Sequence, residues 1–374
     1  MRIQSGSALI HFAFDVADEI HLDRIERVAG ESPAASRLRV QRTTPAYVQY
    51  RRAPLQADLE AVPLDLGGQQ VQAAVRLRIH DFGVVSVTFR IPIAGELAEL
   101  RTLAATLVEN PRLQQAARAQ VERVVREIGA CLDPLRHELG AGEELEWEDY
   151  AVFVVRAFEQ PVPGSEVLRL HATDLARVLR TETEPLSEAE LAEATRQPLS
   201  YYQDELLVVD WNAAFFYDPR DSQDVLHVLE YAVAMLLELR IYDGLLDRVL
   251  DRAYDDLERA RSRRRLRSLR PLTATLEYLA EVKLDVSEII EKVTNSLKLV
   301  GDPYLARLYN VAAARFHLGA WEASVREKLG TVEGLYSLLH DQSQSRLMIM
   351  LELMIVILCG MDIFFVTLEF FTRR

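Results

Sequence analysis

The chain has 374 residues, 49% of them hydrophobic and 27% charged, which is a globular composition long enough for two domains. Its formal net charge of −14 excludes a protein built as a whole to coat nucleic acid or anionic lipid. The two cysteines, Cys131 and Cys359, form at most one disulfide, and Cys359 lies in an apolar run. We therefore expect a reducing compartment.

The first part of the chain mixes strand and helix signals without regular alternation. A turn at Asp81-Phe82-Gly83 divides the longest strand signal into a hairpin. The pattern predicts strands over Ser7–Val16, Ala46–Arg52, Val71–Ile93 and Tyr150–Phe158. Helical spacing predicts helices over Glu19–Val28, Glu96–Glu109 and Pro111–Leu139.

After the break at Pro161-Val-Pro-Gly, the spacing predicts two short helices, Thr173–Leu179 and Ser187–Thr195, and then a hairpin over Leu199–Tyr217. Because strands and helices do not alternate regularly, we expect an α+β domain over residues 1–218, with a sub-boundary near 160.

From Asp218-Pro219 onwards the pattern is helical. In a helix predicted over Asp221–Ala260, one apolar row begins at Val225 and recurs every seven residues, and a second row begins at Leu229. Two such rows are typical of a coiled-coil seam. Further helices are predicted over Leu272–Leu297, Tyr304–Leu318 and Trp321–Leu339. Residues 219–345 are therefore predicted to form long antiparallel helices of coiled-coil type, with the seam's partner left open.

The stretch Leu347–Phe371 is apolar on all sides, and its length suits a helix that crosses a hydrocarbon core of about 30 Å. We expect residues 346–372 to be a C-terminal transmembrane anchor, and the rest to lie in the cytoplasm because the N-terminus shows no signal pattern. Glu352, Asp362 and Glu369 interrupt the run, and Asp362 is expected to face a partner helix. The alternative is a helix buried in the core of an oligomer.

The sequence shows no pattern for catalysis, metal binding or a cofactor, so we expect neither an enzyme nor a bound cofactor. An arginine-rich segment between two predicted helices suits phosphate groups, unless it pairs with its acidic neighbours. Its arginines are Arg259, Arg261, Arg263, Arg264, Arg265, Arg267 and Arg270.

Several segments of the helical half resemble the "required for meiotic nuclear division" family, which includes a yeast sporulation protein and a mitochondrial inner-membrane relative. The resemblance spans roughly residues 200 to 371. Its segments are Leu206–Pro219, Leu226–Asp247, Asp285–Glu291, Gly301–Tyr309, Val325–Leu329 and Ser345–Glu352. The resemblance implies a membrane-anchored, oligomeric, non-enzymatic protein.

Three hypotheses follow. The first is a non-enzymatic, membrane-anchored scaffold that associates with itself as a homo-oligomer. The second is a tether whose arginine segment binds ribosome, RNA or anionic lipid. The third is an oligomeric ion-conducting pore lined by Glu352 and Asp362.

Overall fold

The computed structural model describes residues 1–31, 41–42, 53–66, 69–133, 145–262, 280, 282–284, 286–287 and 302–372. By contacts the chain divides into two compact units: residues 1–241 with 292–322, and residues 242–291 with 323–374. The boundaries expected from the sequence, at 218 and 345, stay a prediction.

The first unit is built on a mixed eight-stranded sheet. The larger strands are β1 (Arg2–Asp15), β4 (Leu55–Leu66), β5 (Gln69–Ile79), β6 (Val84–Glu96), β8 (Trp147–Phe158), β9 (Leu206–Val209) and β10 (Ala213–Tyr217). The short β3 (Gln41–Arg42) forms one edge, and the order is β3-β4-β5-β6-β1-β8-β10-β9. Every pair is antiparallel except β8 with β10, which is parallel.

A second, two-stranded sheet joins β2 (Glu19–Ile20) to β7 (Leu132–Asp133). The helices of the described residues, apart from the fragment near 282, are α1 (Leu22–Glu31), α2 (Leu100–Leu107), α3 (Pro111–Ile128), α4 (Gly164–Arg180), α5 (Glu188–Ala194), α6 (Gln223–Ser262), α7 (Pro303–Arg315) and α8 (Leu318–Thr372). Asn110 caps α3: its side chain accepts hydrogen bonds from the backbone of Arg112 and Leu113.

The main core lies on one face of the large sheet. Alternate residues of β1, including Ile10, Phe12 and Phe14, point to this face and are fully buried. Helices α2, α3 and α4 cover it with their apolar sides. The opposite face carries the other set of alternate residues, and the first half of α6 and α7 lie against it.

The prediction of a turn at residues 81–83 is confirmed, since β5 ends at Ile79 and β6 begins at Val84. The strand predicted over Ala46–Arg52 lies outside the described residues. So does most of the helix predicted over Leu272–Leu297. The long strand β4 was missed altogether.

The expectation of a coiled-coil seam is wrong for α6. Its residues from Val225 to Leu239 are buried almost without interruption. A helix buried on all sides lies in a core, whereas a seam buries two rows and leaves the others in water. Up to Leu239, the apolar rows read from the sequence therefore belong to a helix buried between the sheet and other parts of the first unit.

The expectation of a C-terminal transmembrane helix is also wrong. Across the described part of the chain, the helices fall short of the combined length and apolar character that crossing a membrane requires. The apolar run is the distal part of α8, a 55-residue helix that begins at Leu318. Asp362, inside the apolar run, counts against a span, since a central charge costs about 2.5–3.5 kcal/mol in a bilayer. The expected single-pass membrane localisation falls with this finding.

In the second unit, Asp243, the polar residue that interrupts the apolar rows of α6, pairs with a lysine on α8. Lys328 Nζ lies 2.9 Å from Asp243 Oδ2 and 2.7 Å from Asp247 Oδ1. Ser324 donates a hydrogen bond to Asp243 Oδ1 at 2.6 Å. Asp243 therefore pairs with charge across two helices, which is why an acidic residue is tolerated at this position.

Candidate functional site

A cavity of about 360 Å³ lies within the first unit, between the second face of the large sheet and the beginning of α6. Its polar lining residues come from β1, β4, β5, β6 and α6. They are His11, Asp58, Arg76, Arg78, Thr88, Arg90, Gln223, His227 and Glu230. Asp58 is exposed and Arg76 half-buried, whereas Arg78, His11 and Glu230 are buried, so the cavity is open at one end and closed at the other.

Strand alternation places these side chains on one face. In β5 and β6, apolar residues point to the main core and the residues between them point to the cavity side. Antiparallel pairing then aligns His11, Thr88, Arg76 and Asp58 in one row across four strands. From α6, Gln223, His227 and Glu230 share one side of the helix, because residues three or four apart are neighbours on its surface.

An ion pair forms the closed end. Arg78 donates to Glu230, and its second terminal nitrogen donates to Gln56 Oε1 at 3.0 Å. Ser86 donates to the other oxygen of Glu230 at 2.6 Å. Burial by itself would raise the pKa of Glu230. Arg78, two nearby histidines and the hydrogen bond from Ser86 outweigh it and lower that pKa to about 2.

Three histidines around this pair are held neutral. Burial, the largest effect, and the charge of Arg78 outweigh Glu230 and lower the pKa of His11 and of His80 to about 4 and that of His227 to about 3. His11 Nδ1 lies 2.7 Å from Thr88 Oγ1. Its Nε2 is buried and has no hydrogen-bond partner among the residues that the structure describes. The cavity thus contains a desolvated imidazole nitrogen that is not used within the fold.

The positive charges of the cavity exceed the negative ones. Arg78 is paired with Glu230, and Arg76 Nε lies 3.0 Å from Asp58 Oδ1. Arg90 makes no ion pair with any residue that the structure describes. Burial, and then the charge of Arg76, lower the pKa of Arg90, and the charge of Asp58 raises it. Among the described residues, the charge of Arg90 is therefore offset by Asp58 alone, which already pairs with Arg76, and it lies in a partly dehydrated place. This is the arrangement that an anion stabilises.

The charges of a second buried polar cluster are paired within the protein. Asp210 is fully buried, with Arg180 Nε 2.6 Å and an Arg315 nitrogen 3.3 Å from its carboxylate. Arg315 also binds Glu193 and two backbone carbonyl oxygens. These contacts join α4, α5, β9 and α7, and we assign this cluster a structural role.

The sequence matches the family described as "Uncharacterized protein MJ0711, N-terminal domain" over residues 5–224. The chain belongs to this family. The matched region includes the strands of the large sheet and all lining residues of the cavity except Leu226, His227 and Glu230.

A relative from the family, Uncharacterized protein MJ0711 of Methanocaldococcus jannaschii, is 22% identical over 217 residues. The similarity covers 58% of this chain and 65% of the relative, so less than two thirds of the relative's length is matched. No solved structure matches the chain.

The family match corrects the resemblance to the "required for meiotic nuclear division" family. The match to MJ0711 lies in the N-terminal part, whereas that resemblance used segments from residue 200 onwards. Those segments consist mainly of apolar residues at helical spacing. Such spacing reflects burial of a helix, as in α6, and is shared by unrelated helical proteins.

None of the described residues singled out from the sequence is among those that line the cavity. Glu352 lies on α8 and is exposed, and Asp362 and Glu369 lie farther along the same helix. Arg259 and Arg261 lie in the last turns of α6. Arg263, Arg264, Arg265, Arg267 and Arg270 lie outside the described residues. Contact with an anion through this segment stays a prediction.

The sequence does contain a signal for the cavity that was missed. In β5, Arg76 and Arg78 alternate with apolar residues, and His80 continues the pattern just after the strand; Ser86, Thr88 and Arg90 do the same in β6. Such alternation usually marks a face in water. The missing fact was that α6 covers this face, which buries the polar residues.

Proposed function

We propose that the first unit binds a small anionic molecule, with a carboxylate or phosphate group, in the cavity between the sheet and α6. The observation that carries the proposal is the unmatched charge of Arg90 in a cavity that already holds two arginines. A guanidinium presents a planar fork of donors that fits carboxylate and phosphate oxygens.

The buried side chains around Arg90 support the same conclusion. Neutral His11 carries one proton, and if Thr88 donates to Nδ1, that proton lies on Nε2 and is free to donate to a ligand. Gln223 and His227 add polar groups from α6. Glu230 does not repel the ligand strongly, because Arg78 and Ser86 bind its two oxygens.

The size of the cavity sets the scale of the ligand. About 360 Å³ lies in the lower range of pockets that hold small molecules. Since the closed end is filled by the Arg78–Glu230 pair, the ligand enters from the side of Asp58 and Gln223 and places its anionic group near Arg90.

The test measures binding of inorganic phosphate and of succinate by calorimetry, in a buffer without other phosphate or carboxylate. Arg90→Gln removes the unmatched charge. Arg126→Gln removes the same charge from α3, where the side chain is 71% exposed. A lost charge-assisted hydrogen bond is worth about 1.5–3 kcal/mol, which lowers affinity about tenfold or more.

We expect at least one of the two anions to bind the wild type and the Arg126 variant equally, and the Arg90 variant at least tenfold more weakly. Equal binding by all three proteins would place the anion elsewhere and overturn the proposal. Failure of both anions to bind the wild type would overturn it as well.

Self-association is a second candidate, favoured by the exposed apolar stretch of α8. Between Met348 and Ile363, eleven large apolar side chains are 48–74% exposed. An apolar surface of this extent is typical of an interaction site. Because the exposed side chains surround the helix, a second copy of the same helix offers a matching surface.

Sedimentation of the purified chain tests this candidate. We expect a defined oligomer that dissociates when Leu353 and Ile357, one turn apart, are both replaced by Glu. Leu170→Glu, at a position 52% exposed on α4, is the control and leaves the mass unchanged. A monomeric wild type would remove this candidate.

Three other expectations from the sequence stay predictions: the chain is not an enzyme, it has no cofactor, and it binds ribosome, RNA or anionic lipid. The pore hypothesis required a membrane-spanning helix and is not carried further.

A further inference from the structure

A small two-stranded sheet brings three side chains with metal-binding atoms together, away from the cavity. Glu19 in β2 lies directly opposite Asp133 in β7, so their side chains share one face. His21 follows Glu19 by two residues and points to the same side. One carboxylate oxygen of each acid and one imidazole nitrogen lie within 4.8 Å of one another.

One of the distances is close to that between two ligands of a metal ion: His21 Nε2 lies 3.1 Å from Asp133 Oδ1. The other ring nitrogen, Nδ1, lies 3.9 Å from Glu19 Oε1, so the imidazole lies beside both carboxylates and would bind a metal through one nitrogen. Ligands at 2.0–2.2 Å in a tetrahedral zinc site are separated from each other by about 3.4 Å. Glu19 and Asp133 are about half exposed, so small side-chain rotations suffice to complete the arrangement.

The backbone beneath these side chains is firmly held. The amide of Ile20 donates to the Asp81 carbonyl, and that of His21 donates to the Cys131 carbonyl, both at 2.9 Å. Ile20 and Leu22, which flank His21, are at most 1% exposed. The three side chains are therefore carried by rigid elements, which reduces the conformational entropy lost when a metal binds.

The surrounding charge favours a cation. Two carboxylates directly opposite each other on paired strands repel. Asp18 directly precedes Glu19, and its amide donates to the Asp133 carbonyl at 3.2 Å, so a third acidic residue adjoins the group. A divalent ion would offset two of these negative charges.

We infer that Glu19, His21 and Asp133 form a binding site for a divalent transition-metal ion of the Zn²⁺ class. One imidazole with two carboxylates is a donor set that suits Zn²⁺ better than Mg²⁺ or Ca²⁺, which prefer oxygen alone. Three protein ligands leave a fourth position for water. The site is partly exposed, so exchange with solvent is expected.

The test titrates untagged, metal-free full-length protein with ZnCl₂ by calorimetry, and repeats the titration with MgCl₂. His21→Ala removes the imidazole. His171→Ala is the matched control, because His171 Nδ1 lies 3.3 Å from Asp174 at a similar exposure but outside such a group. Circular dichroism verifies that each variant folds, and Asp133→Asn gives a second, milder change at the site.

We expect one Zn²⁺ per chain in the wild type and the His171 variant, with affinity at least tenfold lower after His21→Ala or Asp133→Asn. Mg²⁺ is expected to bind at least tenfold more weakly than Zn²⁺. Equal zinc binding by the His21 variant would place the metal elsewhere and overturn the inference. If the wild type binds no zinc, the inference is wrong, and His21 serves as an ion-pair partner of the two acids.

Discussion

The buried pair Arg78–Glu230 offers the sharpest test of the structure of the first unit. Both side chains are less than 10% exposed, at 4% and 7%. The pKa of Glu230 falls from 4.5 to about 2, which corresponds to about 3 kcal/mol at 1.36 kcal/mol per unit. Glu230→Gln leaves Arg78 buried without a charged partner, so we expect it to lower the free energy of unfolding by about 3 kcal/mol.

Urea denaturation followed by tryptophan fluorescence measures this loss in the correct part of the chain. All three tryptophans, Trp147, Trp211 and Trp321, lie in the first unit, so the signal reports its unfolding. The double variant Arg78→Met/Glu230→Leu removes both charges. We expect it to lose less stability than the sum of the losses measured for Arg78→Met alone and Glu230→Leu alone.

A matched control uses an exposed pair. Arg169 lies 3.3 Å from Glu166 on α4, and both side chains are well exposed. Glu166→Gln is therefore expected to cost about 0.5 kcal/mol or less. If Glu230→Gln costs no more than this control, or if the double variant loses the sum of the single losses, the charged pair is not what stabilises the closed end of the cavity.

Three further predictions concern other buried groups. Burial, and then the charge of Asp18, raise the pKa of Asp15 from 3.8 to about 8, so the stability of the wild type falls as the pH rises through that range. In urea denaturation we therefore expect Asp15→Asn to gain stability relative to the wild type between pH 5 and pH 8. A difference that stays constant with pH would contradict this. Gly83→Ala is expected to lower the free energy of unfolding by about 2 kcal/mol or more, because φ of Gly83 is 99° and a Cβ would lie 1.8 Å from the backbone oxygen of Ala17. Thermal denaturation measures this loss, and an unchanged melting temperature would refute the turn geometry. Tyr304→Phe removes the hydroxyl that donates to buried Glu205, so we expect it to lower the free energy of unfolding in urea by about 1–3 kcal/mol. An unchanged free energy of unfolding would show that water replaces this hydroxyl.

Local patterns predicted the elements that depend on neighbouring residues. The turn at Asp81–Gly83 needs a glycine with positive φ, and a residue of that kind is visible in the sequence. The strand at Tyr150–Phe158 is an unbroken apolar run, and the structure has β8 over Trp147–Phe158. These elements are determined by interactions within a few residues.

Partner elements were harder to predict. The apolar positions of α6 are consistent both with a coiled-coil seam and with burial against a sheet, and spacing alone does not distinguish them. The apolar stretch of α8 is equally ambiguous from composition. In both cases a local pattern shows that a surface is apolar without showing whether another element covers it, as in α6, or leaves it exposed, as in α8.

The sequence by itself determined several strands (though not β4), the turn at Asp81–Gly83 and the helical character of α6 and α8, because hydrophobic periodicity and turn residues act over short distances. Only the tertiary structure decided which face of the sheet α6 covers. That choice places Arg90, His11 and Glu230, which are far apart in the chain, around one cavity, where His11 and Glu230 are buried and Arg90 is partly buried. The tertiary structure likewise brings Glu19 and His21 close to Asp133, which is more than a hundred residues away in the chain. Charge and spacing along the chain do not specify such meetings, since they depend on long-range packing.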